Sequence, residues 1–140
     1  LGHVVLKVRD RERSERFYTD VLGFDIAARS DEAGMTFFTL GNHHDLAIVA
    51  VGPDAPPAPA DSTGLFHVAF KVGDSTADLR RAKADLEAQG VEIGFVADHT
   101  VTQSIYLDDP DGNTIELYVD VSDVWRDDPQ TVATIAPLTL

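Results

Sequence analysis

Every second residue of His3-Val4-Val5-Leu6-Lys7-Val8 is apolar, so Val4, Leu6 and Val8 form an unbroken apolar face of a strand and His3, Val5 and Lys7 lie on the other. The same strand is written again, 64 positions later, as His67-Val68-Ala69-Phe70-Lys71-Val72, which puts the two histidines on one side of equivalent strands. After the first copy, Asp10 or Ser14 can cap a helix running to about Leu22, with Phe17/Val21 and Tyr18/Leu22 four apart and Gly23 as its stop. After the second, Asp74 or Ser75 caps a longer helix with Leu79, Ala82 and Leu86 as its buried stripe and Gly90 at its end. Three strand-like runs follow each helix, over 24–29, 35–40 and 46–51 in the first copy and 91–97, 103–107 and 114–119 in the second. Each half therefore reads β-α-β-β-β. The expected architecture is α+β, two βαβββ modules forming a cupped, barrel-like mixed sheet around a metal site. The chain is read as one domain, with modules at 1–51 and 65–120, a connector at 52–64 and a tail at 121–140. The connector's Gly52-Pro53-Asp54-Ala55-Pro56-Pro57-Ala58-Pro59-Ala60 predicts an extended, solvated segment. A short helix or coil is expected around Trp125.

The last strand carries the chemistry. It follows Asp108-Asp109-Pro110-Asp111-Gly112-Asn113, where Pro pre-sets φ, Gly tolerates positive φ, and Asp and Asn side chains bond nearby backbone. In Thr114-Ile115-Glu116-Leu117-Tyr118-Val119 the period of two puts Ile115, Leu117 and Val119 on one face and aims the lone carboxylate of Glu116 from the other. Aligning the last strands of the two copies sets Ala47 opposite Glu116 in the repeat. Of four symmetry-related slots, His3, His67 and Glu116 then fill three and Ala47 leaves one blank. Two imidazoles and a carboxylate with open positions beside them suit non-haem Fe(II) oxygen chemistry. One histidine at a strand start is usually a surface or satisfied residue; two at equivalent positions, both on the Glu116 side, favour ligands. Lys7 and Lys71, at the far ends of their strands, are read as carrying charge to solvent.

Composition narrows the classes. With 140 residues the chain can bury a core unaided, and with no cysteine it has neither disulfides nor thiolate sites. The net charge of -13 argues against nucleic acid as a partner. No apolar run approaches membrane-spanning length, and no signal-peptide pattern opens the chain, so the cytoplasm is the expected compartment. The chain starts at Leu1 rather than methionine, which leaves room for residues ahead of it.

The repeated β-α-β-β-β order, the HVVLKV and HVAFKV strands, Phe17-Tyr18 followed by Val21-Leu22-Gly23-Phe24, and Asp109-Pro110-Asp111-Gly112-Asn113 before Ile115-Glu116-Leu117 resemble the vicinal oxygen chelate superfamily over about residues 1–120. Its branches include glyoxalases, antibiotic-binding proteins, fosfomycin-inactivating transferases, epimerases and type I extradiol dioxygenases, so membership alone leaves the reaction open. Asn42-His43-His44-Asp45-Leu46-Ala47 resembles the double-histidine segment of the extradiol enzymes, which implies an oxygen-pocket role for His44. Asp98-His99-Thr100 and Ser104-Ile105-Tyr106-Leu107-Asp108 resemble the segment whose histidine and tyrosine hydrogen-bond the bound diolate, a role implied for His99 and Tyr106. Plainer readings stay open: His43 and His44 as exposed turn residues, Tyr106 as a lining aromatic. The resemblance implies Fe(II), or Mn(II) on the same ligands, with a small aromatic diol and O₂ as substrates and a homodimer as the working state. A glyoxalase-like isomerase would want a ligand where Ala47 stands. A fosfomycin-type transferase needs cations for a phosphonate, and between Lys83 and Arg126 there is neither Lys nor Arg. Binding without turnover is the remaining alternative.

Overall fold

The computed structural model describes residues 1–59 and 61–140. It divides into two compact units, Leu1–Gly64 with Asp109–Asn113, and Leu65–Asp108 with Thr114–Leu140. In the first, β1 (Val4–Val8), α1 (Arg11–Arg16), β2 (Asp25–Ser30), β3 (Met35–Thr39) and β4 (Leu46–Ala50) build a sheet of order β1-β4-β3-β2. In the second, β5 (Val68–Gly73), α2 (Thr76–Ala88), β6 (Phe95–Asp98), β7 (Thr102–Asp108), β8 (Thr114–Asp120) and β9 (Ala136–Pro137) build a sheet of order β5-β8-β7-β6-β9. Both sheets are mixed: β1 runs parallel to β4 and β5 parallel to β8, while the other pairs are antiparallel. The fold class is α+β. In the connector, the described residues 52–59 carry no helix or strand and are mostly exposed; residue 60 lies outside the described residues.

The alternating pattern is realised as burial. Leu6 and Val8 in β1, Val68 and Phe70 in β5, and Ile115, Leu117 and Val119 in β8 are buried, and α2 buries Leu79 and Leu86. Asp10 caps α1, its carboxylate accepting from Arg13 N, and Ser75 does the same for α2 at Asp78 N. The first helix is not α-helical to its end. From Phe17 to Val21 it widens into a π-turn, with Leu22 N bonding Phe17 O, and Gly23 closes it at φ +75 with Phe24 N on Tyr18 O. The wider turn turns Tyr18 into the core, fully buried, where its hydroxyl donates to Asp109 Oδ2 at 2.9 Å.

That contact shows what the Asp-Pro-Asp-Gly-Asn turn does beyond reversing the chain. The Asp109 carboxylate also accepts from Asp111 N, Asn113 N and Asn113 Nδ2 at 2.8–2.9 Å, which ties the turn internally. Asp111 meanwhile accepts from Arg9 Nε and Arg13 at 2.8 Å each. Burial works against the Asp111 charge, but the bonds from Arg9 and Arg13 outweigh it and hold the carboxyl below its usual range. The turn is thus part of the first unit's packing.

One expectation about the second unit shifts, and the tail, helical around Trp125 as expected, adds a further strand. β6 begins at Phe95, not Val91, because Val91 N is taken by Leu86 O in the helix cap and cannot join the ladder. The tail forms 3₁₀ turns at Val124–Arg126 and Pro129–Ala133, and then adds β9 to the edge of β6, pairing Ala97 with Pro137 and Asp98 with Ala136.

Candidate functional site

Glu116 stands in the middle of β8, the strand flanked by β5 and β7, and is paired with Ala69 on one side and Tyr106 on the other. In β4 the residue paired with Val5 is Ala47, so the register makes Ala47 the counterpart of Glu116. Glu116 is 8% exposed, and both its carboxylate oxygens are engaged. Oε1 accepts from Ser104 Oγ at 2.6 Å, and Oε2 lies 3.0 Å from His67 Nε2. His67 Nδ1 is buried and has no hydrogen-bond partner among the described residues. The His67 ring stands edge-on to Tyr106, centroids 5.7 Å apart.

Tyr106 leads into a second chain of contacts. Its hydroxyl is 2.9 Å from His99 Nε2, and His99 Nδ1 is 3.0 Å from the carbonyl oxygen of Thr134. A carbonyl only accepts, so Nδ1 carries the proton; in the neutral ring Nε2 is then the acceptor, and Tyr106 donates to it. The tautomer of His99 is therefore set by the tail. Thr134 Oγ1 also donates to His99 O and contacts Thr100 Oγ1. Thr100 has φ +70, the one positive value at a non-glycine among the described residues, and its N–H is held by Asp98 Oδ1 at 2.7 Å. Such a conformation costs about 1–2 kcal/mol, which the clamp from Asp98 and Thr134 offsets. Desolvation, followed by the Glu116 charge, pushes the Tyr106 hydroxyl up to about 12, so it remains a proton donor through the physiological range. A groove of about 460 Å³ opens beside Tyr106, walled by Phe95 and Val91 and edged by the carboxylates of Glu92 and Asp108.

Of the residues expected to bind metal, His67 and Glu116 meet in the second unit, while His3 belongs to the first. There His3 immediately precedes β1, and the ring of His44, in the loop before β4, lies 4.1 Å from it between centroids. His43 stands edge-on to His44 at 4.6 Å and Phe37 at 5.4 Å. Partial desolvation, with His3 and His43 beside it, lowers the His44 pKa, so this ring favours its neutral form. By alternation Ser104 falls on the face of β7 opposite Ile105 and Leu107, but its residue type names no partner. Thr134 was beyond any local pattern, and Thr100 carries no signal in its type.

Comparison with known proteins places these observations. The family model described as "Glyoxalase/Bleomycin resistance protein/Dioxygenase superfamily" matches residues 1–117. Among curated relatives, the chain is 38% identical to catechol-2,3-dioxygenase from Bacillus subtilis, over 86% of this chain and 41% of that protein. It is 31% identical to biphenyl-2,3-diol 1,2-dioxygenase 2 from Rhodococcus globerulus, over 85% of this chain and 62% of that one. The chain thus spans less than two thirds of the length of either dioxygenase. Glutathione transferase FosA from Serratia marcescens is 32% identical, over 85% of this chain and 79% of the relative. A glyoxalase/dioxygenase structure from Nostoc punctiforme shares the fold, with a TM-score of 0.73 at 21% identity over 86% of this chain and 90% of that one.

Proposed function

We propose that this chain, which belongs to the glyoxalase/bleomycin resistance protein/dioxygenase superfamily, is an extradiol ring-cleaving dioxygenase that uses Fe(II) and O₂ on a catechol-type vicinal diol. The observation that carries the reading is the oriented relay of Thr134 carbonyl, His99 and Tyr106 beside the Glu116–His67 pair. A metal needs neither the histidine nor the tyrosine of that relay, whereas a diol that must lose protons does. The dioxygenase relatives point the same way.

The residues suit a metal. Members of this superfamily bind divalent metals, and the donors His67 Nε2 and Glu116 Oε2 are 3.0 Å apart. His67 and Glu116, with His3 from the repeat, would hold Fe(II), or Mn(II) in its place. Bound there, the ion would supply Lewis acidity to the diol oxygens and redox chemistry toward O₂.

The protein's own share is orientation and proton handling. A diol hydroxyl approaching Tyr106 meets an oxygen whose proton already points at His99 Nε2, so that oxygen accepts the substrate's hydrogen bond. A proton released by the diol can pass to Tyr106 Oη as the tyrosine's own proton moves to His99 Nε2, and the Thr134 carbonyl steadies the imidazolium through Nδ1. Ser104 holds the Glu116 carboxylate in one orientation. His44, kept neutral by its surroundings, is the candidate base or donor toward the oxygen side of the reaction.

A phosphonate-handling transferase, the kind of relative FosA represents, is disfavoured by the sequence between Lys83 and Arg126, which offers neither Lys nor Arg to hold such an anion. We further read the chain as one domain of two modules that works as a homodimer, which light scattering in solution would check. The functional test is oxygen uptake by anaerobically purified, Fe(II)-loaded protein given a panel of catechols, with the yellow ring-fission product followed in parallel. Uptake with that product is the expected outcome. Metal and catechol binding without oxygen consumption would overturn the dioxygenase reading and withdraw the roles given to His44, His99 and Tyr106.

A further inference from the structure

The first unit brings together three imidazoles with no carboxylate among their donor atoms. Ligand nitrogens of His3, His43 and His44 all lie within 4.8 Å of one another. Donors about 2.1 Å from a tetrahedral ion are about 3.4 Å apart, and His3 and His43 are exposed rings that can rotate to close the difference. The loop that carries two of them is built rather than slack. Asp45 Oδ2 accepts from Leu40 N at 2.7 Å and from Asn42 N at 3.4 Å, closing the turn between β3 and β4. Asn42 Oδ1 takes His43 N at 2.9 Å and meets His43 Nδ1 at 3.1 Å. An amide oxygen only accepts, so His43 Nδ1 carries the proton and Nε2 presents its lone pair, the arrangement an outer partner imposes on a metal-binding histidine.

We propose that His3, His43 and His44 form a metal site of their own for an imidazole-preferring dication, Zn(II) being the test case, and that filling it takes His3 out of the catalytic set and silences turnover. An all-imidazole donor set favours Zn(II), Cu(II) and Ni(II) over Fe(II) and Mn(II). The site stands on the first unit's geometry alone; the silencing rests on the function proposed above, because only there is His3 a ligand of the working metal.

The two halves are tested separately. In a His67→Ala/Glu116→Ala background, Zn(II) binding is measured by competition with a chromophoric chelator. One tightly held ion is expected, and adding His43→Ala should weaken it by more than about 100-fold, since losing a ligand exceeds the 10–100-fold cost of losing an outer partner. No tight ion in the double variant, or no change on adding His43→Ala, overturns the site. To keep folding out of the question, the unaltered protein is titrated with Zn(II) by imidazole NMR: His3, His43 and His44 signals should shift before those of His67, and the reverse order overturns the proposal. Excess Zn(II) should then stop oxygen uptake by the Fe(II)-loaded parent and spare His43→Ala. Equal inhibition of both overturns the silencing but not the site, whereas a parent that never cleaves catechol defeats the functional reading and leaves the Zn(II) binding result standing.

Discussion

Ser104→Ala isolates one hydrogen bond at the centre of the second unit. Ser104 is fully buried, and its hydroxyl donates to Glu116 Oε1 at 2.6 Å while Oε2 faces His67. The substitution removes one oxygen, leaves almost no void, and strips Oε1 of a buried carboxylate of its hydroxyl donor. Hydrogen bonds to charged groups contribute about 1.5–3 kcal/mol. At about 2.1 cal/mol/K of unfolding entropy per residue, that corresponds to a drop of roughly 5–10 °C in Tm for a chain of this length. The metal should feel it as well, because a carboxylate free to rotate no longer presents one oxygen in a fixed direction. Loss of such an outer partner typically weakens metal binding by about 10–100-fold. Calorimetry on the metal-free protein reads the first effect, and chelator competition with Fe(II) or Mn(II) reads the second. A variant that melts within 2 °C of the parent (about 2 °C being well under the span that 1.5 kcal/mol implies) and holds metal equally well would refute the assignment of Ser104 as the residue that positions Glu116.

Other perturbations follow from the same contacts. Tyr18→Phe removes the buried donor to Asp109 and should cost about 1.5–3 kcal/mol in chemical denaturation, although the residue lies far along the chain from Asp109. Truncating the chain before Pro129 frees His99 Nδ1, and ¹⁵N NMR of the imidazoles should show His99 leaving the Nδ1–H tautomer; a tautomer unchanged without the tail would disprove the role of the Thr134 carbonyl. Because Tyr106 is pushed up to about 12, Tyr106→Phe should leave the tyrosinate absorbance gained up to pH 11 unaltered. Asp111 has its pKa depressed below the ordinary 3.8, so the stability it contributes is present above that value and fades as pH falls through the folded one. The stability gap between parent and Asp111→Asn should accordingly narrow below about pH 4, as urea denaturation across pH would show.

The sequence alone determined what depends on neighbours a few residues apart. Alternation placed His3 and His67 at equivalent strand starts, and it placed Glu116, Ser104 and Tyr106 on the polar sides of theirs. Capping side chains located both helix starts, and the internal repeat made Ala47 the counterpart of Glu116, as the strand registers do. These are short-range effects of backbone period and local hydrogen bonding, so they can be read along the chain. Tertiary structure decided which partner each polar group meets. Thr134 reaches His99 across 35 residues, Tyr18 reaches Asp109 across 91, and Arg9 reaches Asp111 across 102. The π-turn after α1 and the late start of β6 came from such demands as well, one burying Tyr18 and the other committing Val91 N to a helix cap. A side chain's type states what it can donate or accept, but its partner is settled only when burial removes water as the alternative and leaves the nearest complementary atom to satisfy it.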